Sequence, residues 1–89
     1  MGLETVEILM DLEDYFHVDV PDEAASACVT VAELQDVIVG LLVKQGRFDS
    51  EETRREVWEG MMFVLAENGY DVTTVRPDSK WVGDITQHG

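Results

Sequence analysis

Apolar positions recur at helical spacing in three stretches of this chain, separated by proline, glycine and hydroxyl residues. Val6, Leu9, Leu12 and Phe16 fall three and four residues apart, which builds one apolar face and predicts a helix over residues 3–16. Gly2 is an acceptable cap for it, and Glu4 and Glu7 lie in its first turns, where carboxylates complement the helix dipole. His17, Val18, Asp19 and Val20 end it, because the residue before Pro21 is pushed out of the α region. Pro21 then suits the first position of a short helical turn over residues 22–27.

Thr30-Val31-Ala32-Glu33 pairs a hydroxyl with a glutamate three residues on, the pattern in which each satisfies the other's backbone N–H. A second long helix follows, with Leu34, Val37, Ile38, Leu41 and Leu42 as its apolar stripe, ending near Lys44 with Gly46 as terminator. Asp49 or Ser50 caps a third, over residues 51–68, which buries Val57, Trp58, Met61, Met62, Val64 and Leu65 and stops at Gly69. Beyond Gly69 the period vanishes. Residues 70–75 are rich in β-branched side chains but have no strand to pair with, so they read as a loop. Pro77-Asp78-Ser79 is a turn, and Trp81 and Ile85 are apolar anchors for the tail. The expected fold is a small all-α bundle, a single domain over residues 1–89, with three main helices, a short helical turn and a structured C-terminal loop.

Length and composition narrow the class. Eighty-nine residues support one core and no second domain. The longest apolar run, residues 61–66, is far short of a membrane span, and no leader segment is expected. The lone Cys28 forms no internal disulfide and fits a reducing, cytoplasmic setting; in Ala27-Cys28-Val29 it reads as a small buried apolar group. The formal charge is -13 and is unevenly spread. Residues 1–43 carry ten Asp/Glu and no Lys or Arg, whereas residues 44–89 carry nine Asp/Glu and all six basic residues. Such a field repels phosphate backbones, which argues against nucleic acid, and attracts basic docking patches with an affinity that falls as salt rises. Acidic faces also serve plain solubility. A monomer is expected.

The chemistry of metals and catalysis finds no foothold. An EF-hand loop laid on residues 11–22 places Phe16 where glycine must turn and Asp22 where glutamate must chelate. Zinc would need clustered ligands, and His17 and His88 lie far apart around a single cysteine. There is no Gly-rich phosphate loop, and the many carboxylates read as solvated surface, so no catalytic residue is assigned and no enzymatic activity is expected.

Three features stand in order: the acidic helix from Leu3 to Phe16, then Val20-Pro21-Asp22-Glu23-Ala24, then Val29-Thr30-Val31-Ala32-Glu33-Leu34. Together they resemble acyl carrier proteins, whose second, short third and last helices they would be, over residues 2–44. In that family the second helix opens on Asp-Ser-Leu, and its serine carries 4'-phosphopantetheine. Here Leu3 matches the leucine and Gly2 stands at the serine, with no side chain to esterify, so the resemblance implies a lost cofactor site. Residues 50–89, with Leu65-Ala66-Glu67-Asn68-Gly69-Tyr70-Asp71 and Val75-Arg76-Pro77-Asp78-Ser79-Lys80-Trp81, are similar to the family's first helix and the loop after it. That order resembles a circular permutation joined through residues 44–50, in which residues 84–89 would approach Gly2 and Leu3. The alternative is that the last helix simply completes a bundle.

The family's second helix is the surface that partner enzymes read. By carry-over Leu3, Glu4, Val6, Glu7, Met10 and Glu13 would be the contacts. Met10 lies off the apolar stripe, either as a pliable recognition residue or as a secondary core contact. No serine replaces the missing acceptor: Ser26 lies in the short helix, Ser50 is a cap and Ser79 a turn residue, and Thr86 is the wrong residue type. Leu9, Leu12 and Leu41 would line an acyl pocket if one existed. The expected function is an acidic interaction module, without phosphopantetheine, that docks to basic surfaces of fatty-acid or polyketide-type enzymes. Two alternatives stay open: a working carrier modified at an unidentified site, and a small acidic regulatory protein that shares only the fold.

Overall fold

The computed structural model describes the backbone of residues 2–81 and the side chains of residues 6–81. Four helices follow one another: α1 (Gly2–Phe16), α2 (Asp22–Ala27), α3 (Val31–Lys44) and α4 (Glu51–Glu67), and a 3-10 turn (Val72–Thr74) comes after them. The all-α bundle is as expected, and no strand forms among the described residues. α4 packs against α1, α3 and the 3-10 turn, so it is the axis of the bundle. It runs antiparallel to α1: Asp11 meets Asn68 near the end of α4, whereas Tyr15 and Phe16 meet Gly60 a few turns earlier.

Helix boundaries follow local chemistry. Thr30 Oγ1 accepts from Glu33 N at 3.2 Å, and the Glu33 carboxylate accepts from Thr30 N and Val29 N, which completes the reciprocal cap. These two N–H groups hold the Glu33 carboxyl below the usual glutamate range. Of Asp49 and Ser50, the serine caps α4, accepting from Thr53 N. α1 begins on Gly2 itself, so this glycine is the first helical residue and not the cap.

The C-termini of the three long helices close alike. The N–H two residues beyond the cap reaches back to the carbonyl five positions earlier, in Val18 to Glu13, Arg47 to Leu42 and Tyr70 to Leu65. That closure needs one left-handed residue, which is Gly46 at φ 104° and Gly69 at φ 89°. In α1 it is His17 at φ 56°, a conformation that a side chain resists.

The core joins Ile8 and Leu12 of α1, Val31, Leu34, Ile38, Val39 and Leu42 of α3, and Val57, Met61, Val64 and Leu65 of α4. Val18, Val20, Cys28 and Trp81 complete it from the connecting segments. Two expectations are corrected here. The buried stripe of α1 is Ile8 and Leu12, with Leu9 and Phe16 on its flank, and Val6 is 51 % exposed. At 100° per residue Val6 points about 160° from Ile8, so a face centred on Ile8 must exclude it. In α3 the buried stripe takes in Val31 and Val39, while Val37 and Leu41 are only partly buried on its flank.

The C-terminal loop is fastened to the start of α3. Val31 N donates to Ser79 O and Ala32 N to Pro77 O, both at 2.9 Å, and Thr30 and Lys80 form an isolated antiparallel bridge. With Thr30 serving Glu33 N and Leu34 N, each of the first four N–H groups of α3 finds an acceptor. Trp81, 3 % exposed, donates its ring N–H to Cys28 O at 3.3 Å. The expected approach of residues 84–89 to Gly2 and Leu3, and the anchoring role of Ile85, lie outside the described residues.

Candidate functional site

The outer face of α1 is set by its inner one. Once Ile8 and Leu12 are buried, Val6, Glu7, Met10 and Asp14 must face away, at spacings of three and four residues. Val6 and Met10 are 51 % and 57 % exposed, and Glu7 and Asp14 are exposed beside them. Met10 is therefore a surface residue and not a secondary core contact. Leu3 and Glu4 belong to the first turn, whose side chains lie outside the described residues.

The carboxylates of this face are not all alike. The described ion pairs join Arg47 to Glu56 and Arg54 to Asp36 and Asp49, all on the α3 and α4 side. Among the described residues none reaches Glu7 or Asp14. Glu13 is different: it is half-buried, and its Oε2 accepts from Val20 N at 2.7 Å, so it holds the link between α1 and α2. Sequence reasoning placed Glu13 among the expected contacts; helical spacing puts Asp14, one turn beyond Met10, on the exposed face with it.

Among the described residues, the void at the centre of the core offers little room for an acyl chain. Ile8, Leu12, Val31, Leu34, Met61, Leu65 and Trp81 surround a void of about 10 Å3, no larger than one water needs. Leu12 lines it, whereas Leu9 and Leu41 do not. The candidate acceptors are committed elsewhere: Ser79 Oγ accepts from Arg76 N within its turn, and Ser50 Oγ bonds Thr53. Cys28 Sγ donates to Ala24 O, and burial, with Glu33 and Asp36 nearby, raises its thiol above the ordinary range. Among the described residues no cluster of His, Cys, Asp or Glu is arranged to hold a metal ion. No described helix is long and apolar enough to cross a membrane.

A second exposed feature escaped the sequence reading. Tyr15 and Phe63 lie on facing helices with ring centroids 5.6 Å apart, 48 % and 53 % exposed. The signal for it was Gly60, a glycine inside a helix, where the residue type is disfavoured unless something must come close.

No protein-family model matches the chain. No solved structure matches it either.

Proposed function

We propose that this chain is an acyl-carrier-like interaction module without phosphopantetheine, its helices in permuted order, which uses the outer face of α1 to dock basic surfaces of acyl-chain-processing enzymes. The observation that carries the reading is the pairing of exposed Val6 and Met10 with Glu7 and Asp14, which have no ion-pair partner among the described residues. Apolar side chains bracketed by unpaired carboxylates suit a partner that brings both a basic rim and an apolar contact. The permuted order draws support from the C-terminal loop, whose Trp81 shares a void with Ile8 and Leu12 of the acidic helix. Glycine at position 2 and the committed hydroxyls of Ser50 and Ser79 favour a module that carries nothing covalently. In a cell the reading expects a cytoplasmic monomer with no catalytic role of its own.

The test has two arms. Incubation with a promiscuous phosphopantetheinyl transferase and coenzyme A should leave the intact mass unchanged; a gain of one arm would make the chain a working carrier and overturn the reading. Binding to purified fatty-acid and polyketide synthesis enzymes at low salt should fall at least tenfold in the Glu7→Lys/Asp14→Lys double variant. Equal binding by that variant removes α1 as the docking face. Glu13→Lys is a poor probe, because it also releases Val20 N.

A further inference from the structure

We infer that the groove between α1 and α4, floored by Tyr15 and Phe63, is a second docking surface, and that its occupant is an arginine on a basic amphipathic segment of a partner protein. The groove borders the outer face of α1 and shares Asp14 with it, but its aromatic floor and Glu67 belong to the groove alone.

The groove is built and not incidental. Tyr15 and Phe16 lie across α4 only because residue 60 is glycine: a Cβ there would stand 2.6 Å from Tyr15 Cε1 and 2.5 Å from Phe16 Cζ. Phe16 meets Tyr15 edge to face at 4.9 Å, and Phe63 flanks Tyr15 on the α4 side. The Tyr15 ring is thus held by three neighbours, yet the residue remains about half open to solvent. Single exposed apolar residues are ordinary, but two aromatic rings in contact on a surface form a patch that water solvates poorly. A ring already fixed in its binding position loses little freedom when a ligand stacks on it.

Charge identifies the occupant. The groove, of about 360 Å3, is lined by Tyr15, Phe63 and Val64 and by three carboxylates, Asp11, Asp14 and Glu67, with no basic residue among them. Asp11 already receives Asn68 Nδ2 at 3.1 Å; Asp14 and Glu67 have no ion-pair partner among the described residues. Aromatic faces beside unpaired carboxylates suit a guanidinium, which stacks on a ring with its plane and pairs with carboxylates through its edge. A lysine ammonium makes the charge contact without the stack, and an anionic or purely apolar segment meets three carboxylates at the rim.

The test uses the whole chain, labelled with nitrogen-15, and three amphipathic helical peptides of identical leucine pattern bearing Arg, Lys or Glu at their polar positions. The Arg peptide should shift the amides of Tyr15, Phe63, Val64 and Glu67, bind at least threefold tighter than the Lys peptide, and leave the Glu peptide inert. Phe63→Ala and the Asp14→Asn/Glu67→Gln pair should each weaken it about tenfold with unchanged helical circular dichroism. Phe48→Ala, at an exposed aromatic residue outside both faces, should bind it as the wild type does. Shifts confined to Val6, Glu7 and Met10, equal affinity for Arg and Lys peptides, or an equal loss in a Glu51→Gln/Glu52→Gln control would overturn the proposal. The last result would reduce the binding to net charge.

Discussion

The start of α3 and the groove between α1 and α4 solve opposite problems with similar material. At α3 everything polar is answered from within: Thr30, Glu33, Pro77 and Ser79 supply partners, and Trp81 seals the site with its ring. At the groove, Tyr15 and Phe63 keep about half their surface in water, and Asp14 and Glu67 stand without a described ion pair. The chain spends its internal partners on one end of α3 and leaves another surface open. A region closed in this way governs stability, whereas one left open has affinity to spare for something outside.

Five substitutions should sharpen that contrast, from the largest effect to the smallest. Trp81→Ala removes a buried ring and its bond to Cys28 O, and should lower unfolding free energy by about 3–5 kcal/mol in a urea titration. A loss under 1 kcal/mol would mean that the C-terminal loop is not part of the cooperative unit. Gly60→Ala forces both rings away from α4 and should cost about 1–3 kcal/mol despite alanine's better helix propensity. It should also abolish binding of the Arg peptide, which separates it from a merely destabilised variant such as Thr30→Ala.

Thr30→Ala itself should cost about 1 kcal/mol through the lost cap, with peptide binding untouched. The same cap has an acid signature. The folded state holds Glu33 below its ordinary value of 4.5, so the unfolded chain takes up that proton first. The stabilisation is whole above that pH and fades as pH falls through the lowered folded value. Glu33→Gln should flatten that part of the stability profile below about pH 4.5, and an unchanged profile would dissociate the cap from acid sensitivity. Phe63→Ala should move stability least, within about 0.5 kcal/mol for a half-exposed residue, while binding drops. A large loss of stability there would make the aromatic pair a structural feature and not a surface one.

What could be read from the sequence was what neighbouring residues decide among themselves. Thr30 with Glu33, Gly46, Gly69 and Pro21 each act within a few positions, and the boundaries they predict are those observed to within a residue or two. The face of α1 was misjudged because Val6 and Ile8 are equally apolar, and only the seating of Leu12 against α3 and α4 chooses between them. The spacing of Met10 left its exposure open between two readings, and the internal use of Glu13 was hidden altogether, since its partner is the N–H of Val20 across a turn. The fastening of residues 77–81 to α3, and the seat that Gly60 gives to Tyr15 and Phe16, depend on residues more than 40 positions apart. No local pattern encodes such contacts.

The bond from Trp81 to Cys28 has a consequence in time. It spans 53 residues, so α1, α2, α3 and α4 can all be formed before it closes. Until then the first two N–H groups of α3 have only water to bond, and the Trp81 ring has yet to leave solvent. Contacts of such long range are those that slow the last stage of folding. On a ribosome, the start of α3 would wait for residue 81 to emerge, and the quenching or blue shift of Trp81 fluorescence would mark the moment the bundle is finished.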